Sequence, residues 1–126
     1  MLLAALLSFF YKDGATFDLF LAGISVLAFG VMSMLCTKNH TKEMNKREGY
    51  LVVAFGWIVM TMSGTLPYLF TGAIPDFSNA FFETISGYTT TGSTILNDIE
   101  SLPEGVLFWR SLTHWIGGMG IIVLAI

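Results

Sequence analysis

Apolar residues dominate four stretches of the chain, 1–11, 17–37, 50–71 and 103–126, and a fifth stretch, 79–87, is shorter and mixed in character. A helix that crosses about 30 Å of hydrocarbon needs roughly 20 residues. Stretches 17–37, 50–71 and 103–126 meet that length, whereas 1–11 and 79–87 do not. The first short stretch ends at the turn Lys12-Asp13-Gly14, because an Asp-Gly pair favours a turn. The other follows a turn-rich loop, 72–78, in which Asp76 or Ser78 can cap a helix start. It gives way to a run of small hydroxyl residues instead of a polar loop. It is therefore expected to descend partway into a bilayer and return as extended chain. Pro67 should kink or stop the helix before it, and Ser101-Leu102-Pro103-Glu104 reads as a capping box that starts the last helix.

The pattern predicts an all-α membrane protein. Residues 1–37 form an N-terminal helix pair whose first member is incomplete, 38–49 a loop, and 50–126 a repeat unit. That unit divides into a span at 50–71, a pore helix at 79–87, a filter loop at 88–94, an outer loop at 97–105 and a span at 103–126. Because stretch 1–11 is half a span and the chain stops within an apolar run, the chain is expected to be a fragment. Stretch 1–11 has neither the basic flank nor the small-residue cleavage site of a signal peptide.

Composition agrees with a bilayer protein. Of 126 residues, 54% are hydrophobic and 12% charged, and the mean hydropathy is +0.70. Lys38, Lys42, Lys46 and Arg47 all lie in 38–49, which places that loop in the cytoplasm by the positive-inside rule. Glu43 and Arg47 stand at helical i,i+4 spacing, so the loop is expected to prolong a helix into water. Asp13, Asp18, Asp76, Asp98, Glu100 and Glu104 lie in or beside the other loops, where Lys12 is the only basic residue. The outer face is thus acidic. The single cysteine, Cys36, reads as a small apolar residue.

The candidate chemistry sits in Thr89-Thr90-Thr91-Gly92-Ser93-Thr94. Irregular backbone survives at membrane depth only where it is buried in protein or lines a water-filled path. Backbone carbonyls can replace the hydration shell of a cation, and Gly92 can adopt angles that turn neighbouring carbonyls one way. The threonines add stiffness and hydroxyl ligands. The carbonyls of this run are therefore expected to line an ion path.

Two other motif readings fail on residue types. The segment 87–94 has P-loop spacing, but Ser93 stands where the lysine belongs and no strand precedes it. Ser93 with His114 could form a hydrolase pair, but no nucleophile elbow or orienting acid accompanies them. No enzyme activity is expected.

Ionisable residues inside a span are costly and mark function. Glu83 and Arg110 are expected to pair behind the loop and brace it; the alternative is an Arg110 that snorkels outward. His114 reads as a packing residue, and Trp109 as an interfacial anchor or filter packing. Gly56, Ser63 and Gly64 are assigned to helix packing, and Gly117, Gly118 and Gly120 to close approach by the last helix or a bend in it.

The segments Ala80-Phe81-Phe82-Glu83-Thr84-Ile85-Ser86-Gly87-Tyr88-Thr89-Thr90-Thr91-Gly92-Ser93-Thr94 and Phe108-Trp109-Arg110-Ser111-Leu112-Thr113-His114-Trp115-Ile116-Gly117-Gly118-Met119-Gly120-Ile121 closely resemble the TrkH family of bacterial potassium uptake proteins. The resemblance implies a K+-channel-like fold, in which an N-terminal helix pair is followed by four repeats of helix, pore helix, filter loop and helix around one pore. Gly92 matches the filter glycine of the first repeat, with Thr90, Thr91 and Ser93 as its carbonyl-bearing neighbours, so the resemblance implies a filter of Thr90, Thr91, Gly92 and Ser93 with K+ at Thr90, Thr91 and Gly92. It further implies K+ uptake across the bacterial inner membrane, a homodimer, and a cytoplasmic nucleotide-binding regulatory subunit. K+ is the transported ion, no covalently bound cofactor is expected, and the partners are the bilayer and the three remaining repeats, not nucleic acid. The alternatives are a homotetrameric K+ channel of short chains and a non-transporting structural or enzymatic membrane module.

Overall fold

The structure is a computed structural model that describes residues 1–37 and 45–125. These residues form five helices: α1 (Leu2–Tyr11), α2 (Thr16–Thr37), α3 (Lys46–Phe70), α4 (Phe77–Tyr88) and α5 (Glu104–Ala125). Among the described residues, α2 and the Arg47–Phe70 part of α3 are long and apolar enough to cross a membrane. The fold is that of an all-α membrane protein. α5 matches α2 in length, at 22 residues each, but does not join those two candidates. It carries Arg110, Ser111, Thr113 and His114 within a little over one turn, which lowers its hydropathy.

Helix ends differ from the sequence reading where a cap was overlooked. α3 starts at Lys46, ahead of the span expected from 50 and inside the stretch expected to prolong a helix into water, and the Glu48 carboxylate accepts the Asn45 amide there at 3.0 Å. Lys46 and Arg47 are thus the first turn of a helix, while Lys38, Lys42 and Glu43, with its expected pairing to Arg47, lie outside the described residues. Pro67 does not stop α3, which continues to Phe70. Its missing donor costs one bond close to the helix end, and the Thr71 amide and hydroxyl both return to the Pro67 carbonyl.

The start of α5 is a clear correction. Ser101 does not cap it; the Ser101 hydroxyl donates to the Asp98 carbonyl at 3.0 Å. The cap comes from the other end of the chain, where the Asp13 carboxylate accepts the Gly105 amide at 2.9 Å. Asp13 also accepts the Ser8 hydroxyl and the Ala15 amide, so the α1–α2 turn and the first turn of α5 share one carboxylate. The turn is tight, with Lys12 and Gly14 both in the left-handed region.

Small residues let these elements meet. Ala4, Ala5, Ala15, Leu19, Tyr68, Ile74, Ala80, Val106 and Trp109 form the buried core, where α1 and the first turns of α2 and α5 meet the ends of α3 and α4. A side chain on Gly105 would stand 2.7 Å from Ser8 and Leu19, so α1 crosses α5 at backbone distance. Beyond Gly23, α2 is almost wholly exposed and apolar, as is α3 as far as Val59. Gly56 lies in that belt, where a side chain built on it would meet nothing within 4 Å among the described residues. Such a belt suits lipid or further protein as its neighbour.

Partial burial pushes the Asp13 carboxyl up, but the Ser8 hydroxyl and the Gly105 and Ala15 amides outweigh it and hold the group below the ordinary carboxylate range. A depressed carboxylate stabilises above its unfolded pKa and loses that contribution as pH falls through its folded value. Asp13→Ala should therefore destabilise the full-length protein by about 1 kcal/mol near neutral pH, the usual worth of a cap. Thermal unfolding of Asp13→Asn in detergent should show a deficit at pH 7 that shrinks below about pH 4. A deficit independent of pH would contradict the role of the ionised cap.

Candidate functional site

α4 begins where the Asp76 carboxylate accepts the Asn79 amide at 3.3 Å, so of the two caps offered by the sequence Asp76 is the one used. One face of the helix, with Ala80, Glu83, Thr84, Ser86, Gly87 and Tyr88, is buried. The helix ends by a specific device. The Thr90 amide bonds to the Gly87 carbonyl at 3.0 Å and the Thr91 amide to the Ser86 carbonyl at 3.0 Å, with Thr90 in the left-handed region at φ 56°. This is a Schellman cap with threonine where glycine is usual. A β-branched residue takes that conformation at a cost.

The cap orients the loop. In a trans peptide the carbonyl points opposite to the N–H. The Thr90 and Thr91 amides turn back to the helix, so the carbonyls of Thr89 and Thr90 point away from it. Gly92 is the second left-handed residue of the run, at φ 77°. The dipole of α4 ends here with its negative pole toward the loop, which favours a cation.

Of the expected filter residues, Ser93 differs from the other three. Its carbonyl, expected to stand with theirs, accepts the Ser86 hydroxyl at 2.5 Å and is held against α4. Thr90, Thr91 and Gly92 are all exposed. The hydroxyls of Thr89 and Thr91 lie 2.8 Å apart, and that of Thr90 donates to the Thr89 carbonyl at 2.7 Å.

Glu83 and Arg110 are brought together. The Arg110 Nε donates to Glu83 Oε1 at 2.7 Å, with the Glu83 side chain 1% and that of Arg110 19% exposed. Glu83 Oε2 accepts the Thr94 hydroxyl at 3.0 Å and the Ile95 amide at 3.2 Å. One carboxylate thus joins α4, α5 and the chain leaving the loop.

α5 packs on α4 through glycines. A Cβ on Gly117 would lie 2.0 Å from the Tyr88 carbonyl oxygen, and one on Gly87 would lie 2.5 Å from the Thr113 hydroxyl. Gly118 and Gly120 meet only ordinary contacts at 3.7 Å, so of the glycines assigned to α5 packing, Gly117 makes the close approach. On the α3 side, a Cβ on Gly64 would come within 2.8 Å of Thr84 and Tyr88, and the Gly64 carbonyl accepts Trp109 Nε1 at 3.1 Å. Trp109 is 4% exposed, so it is a packing residue and not an interfacial anchor. Trp115 is exposed. His114 Nδ1 lies 3.0 Å from the Arg110 carbonyl, which makes Nδ1 the protonated nitrogen and His114 a locally satisfied side chain. Among the described residues no group of three His, Cys, Asp or Glu side chains could hold a metal ion.

Three residues were missed in the sequence: Ser86, Asp13 as a cap, and Asn45. Ser86 carried a readable signal, being a hydroxyl on the buried face of the last turn before a loop rich in carbonyls.

The chain is thus an all-α membrane protein in which a half-length helix ends in a hydroxyl-rich loop between longer helices. A family model described as a cation transport protein, TrkH, matches residues 15–126. The chain belongs to the TrkH family. It is 40% identical over 128 aligned positions to the Trk system potassium uptake protein TrkH of Escherichia coli K12, and 39% identical to that of Vibrio parahaemolyticus, covering 100% of this chain in both cases. It is 30% identical over 98% of its length to an uncharacterized cation transporter of Methanocaldococcus jannaschii. The chain spans 26% of the length of each of these relatives.

Removing one partner of a buried ion pair leaves an uncompensated charge and costs about 3–5 kcal/mol. Glu83→Ala in the full-length protein should lower stability on that scale. Glu83→Ala combined with Arg110→Ala should cost less than the sum of the single changes, read from thermal unfolding in detergent. Additive costs would show that the pair is not coupled. Gly117→Ala should reduce the amount of folded protein in membranes far more than Gly118→Ala, because only the first drives a methyl group into backbone. Equal amounts would contradict the close approach.

Proposed function

We propose that this chain is part of the pore-forming subunit of a bacterial potassium uptake protein, a transporter and not an enzyme. It supplies one of four walls of a carbonyl-lined filter. Thr90, Thr91 and Gly92 present carbonyls to K+, Ser93 anchors the outer end, and Glu83 with Arg110 braces the loop from behind. The observation that carries this reading is the end of α4, where a Schellman cap turns the Thr91 amide inward, and so the Thr90 carbonyl away from the helix, ahead of a left-handed Gly92. A cation at that place would meet oxygen and the negative end of a helix dipole.

The relatives support the ion: those of Escherichia coli and Vibrio parahaemolyticus are named potassium uptake proteins. They also favour one long chain over four copies of a short one, since this chain spans 26% of their length. On this reading α1 and α2 are the extra N-terminal pair, and α3 to α5 are the first of four repeats. The basic segment 38–49 is cytoplasmic, the acidic loops face outward, and the bacterial inner membrane holds the whole as a homodimer with a cytoplasmic nucleotide-binding regulatory subunit. The acidic outer loops would raise the local concentration of cations.

The test is K+ uptake by the full-length protein in cells without other uptake systems. Gly92→Val places a β-branched residue in the left-handed region, which only glycine enters freely. It should cut K+ uptake by about tenfold or more at equal membrane amounts, or abolish the preference for K+ over Na+, since carbonyl placement sets selectivity. Unchanged uptake and unchanged preference would remove the filter assignment.

A further inference from the structure

We propose that Ser86 is a positioning residue for ion discrimination, clamping the chain on both sides of Gly92. The proposal rests on the filter reading above. Ser86 is 4% exposed and makes two hydrogen bonds to the loop. Its carbonyl accepts the Thr91 amide at 3.0 Å, and its hydroxyl donates to the Ser93 carbonyl at 2.5 Å. Residues 91 and 93 flank Gly92, so one buried side chain and its own backbone hold the glycine from before and after.

The clamp matters because Gly92 has little else to hold it. A side chain built on Gly92 would meet nothing within 4 Å among the described residues, so their packing does not fix the glycine from that side. Its left-handed geometry, φ 77°, is open to glycine in both hands of the Ramachandran map, and the residue's own sterics do not impose it. The flanking peptides must impose it instead. The Thr91 bond is backbone to backbone and survives any change of side chain at 86. The Ser93 bond depends on the hydroxyl alone. Without it, the Ser93 carbonyl is free to rotate, and an added or displaced oxygen next to Gly92 changes the number and spacing of ligands an ion meets.

Position and bulk stability separate in the readout. Ser86→Ala in the full-length protein should reduce the K+ over Na+ preference by about fivefold, the factor set by one ordinary hydrogen bond, while saturated K+ uptake per transporter stays near the parent value. Competition of Na+ and Rb+ against K+ uptake measures the preference, and immunoblotting of membranes the amount. A merely structural serine would lower the amount and leave the preference alone. Ser86→Thr keeps a hydroxyl and should restore the preference.

If Ser86→Ala is missing from membranes, Ser86→Cys is read in the same assay, since a thiol has a similar shape but donates weakly. A parental preference in the expressed variant overturns the clamp. Gly92→Val run in parallel separates the two readings. A change there with none at Ser86 removes only the clamp, whereas no change in either removes the filter assignment and the clamp with it.

Discussion

The arrangement depends on one buried carboxylate. Glu83 lies in the middle of α4 with 1% of its side chain exposed, and each of its oxygens is used. Oε1 takes the Arg110 guanidinium, and Oε2 takes the Thr94 hydroxyl and the Ile95 amide. An ionised group taken out of water loses hydration worth several kcal/mol, and only close, well-aligned donors offset the loss. Three donors within 3.2 Å meet that requirement. Because they come from α5 and from the chain beyond the loop, satisfying the charge also fixes where the loop returns. The Ile95 amide, which in an irregular segment at membrane depth would otherwise need a partner, is answered by the same group.

A carboxylate can join three elements only if they stand close enough, and glycine makes that distance possible. At Gly117 the α5 backbone abuts the last carbonyl of α4, and at Gly64 α3 receives Thr84 and Tyr88. Trp109 then bridges α5 to α3 through the Gly64 carbonyl. These contacts set the buried face of α4 against both α3 and α5, with Glu83 to Arg110 joining α4 to α5. In lipid, where apolar burial gives helices no reason to prefer one another over acyl chains, such close backbone contact and interhelical hydrogen bonds are the forces available.

Much of this was legible in the sequence, and the reason is the thickness of the bilayer. A required length of about 20 apolar residues locates α2 and most of α3 without any structural knowledge. The mixed stretch between them and α5 then stands out as too short to cross. The pairing of Glu83 with Arg110 was legible for a related reason, since two ionisable residues at membrane depth have few other partners. What sequence concealed was long-range capping. Ser101 through Glu104 has the form of a capping box, yet the amide at the start of α5 goes to Asp13, 92 residues earlier. A local motif competes with any acceptor that folding delivers, and Asp13 arrives pre-oriented by Ser8 and Ala15. Of the two readings open for Trp109, the sequence had no means to choose packing, because the acceptor of its indole N–H is a backbone carbonyl of another helix, that of Gly64.

The strain at Thr90 follows from two demands on one position. A Schellman cap needs a left-handed residue, and glycine would take that conformation without penalty. Yet a glycine at 90, two residues before Gly92, would leave the loop with two freely rotating joints and no stiffness between them. A threonine forced into the left-handed region has few other conformations open to it, so once the Gly87 carbonyl has taken its own amide and the Ser86 carbonyl that of Thr91 the loop leaves the helix in one direction. Conformational freedom is thus confined to Gly92, and the flanking bonds to Ser86 remove it there. On the proposed filter reading, such a loop gains from strain that is set before any ion arrives, because the cost of ordering is then met in folding and not in binding.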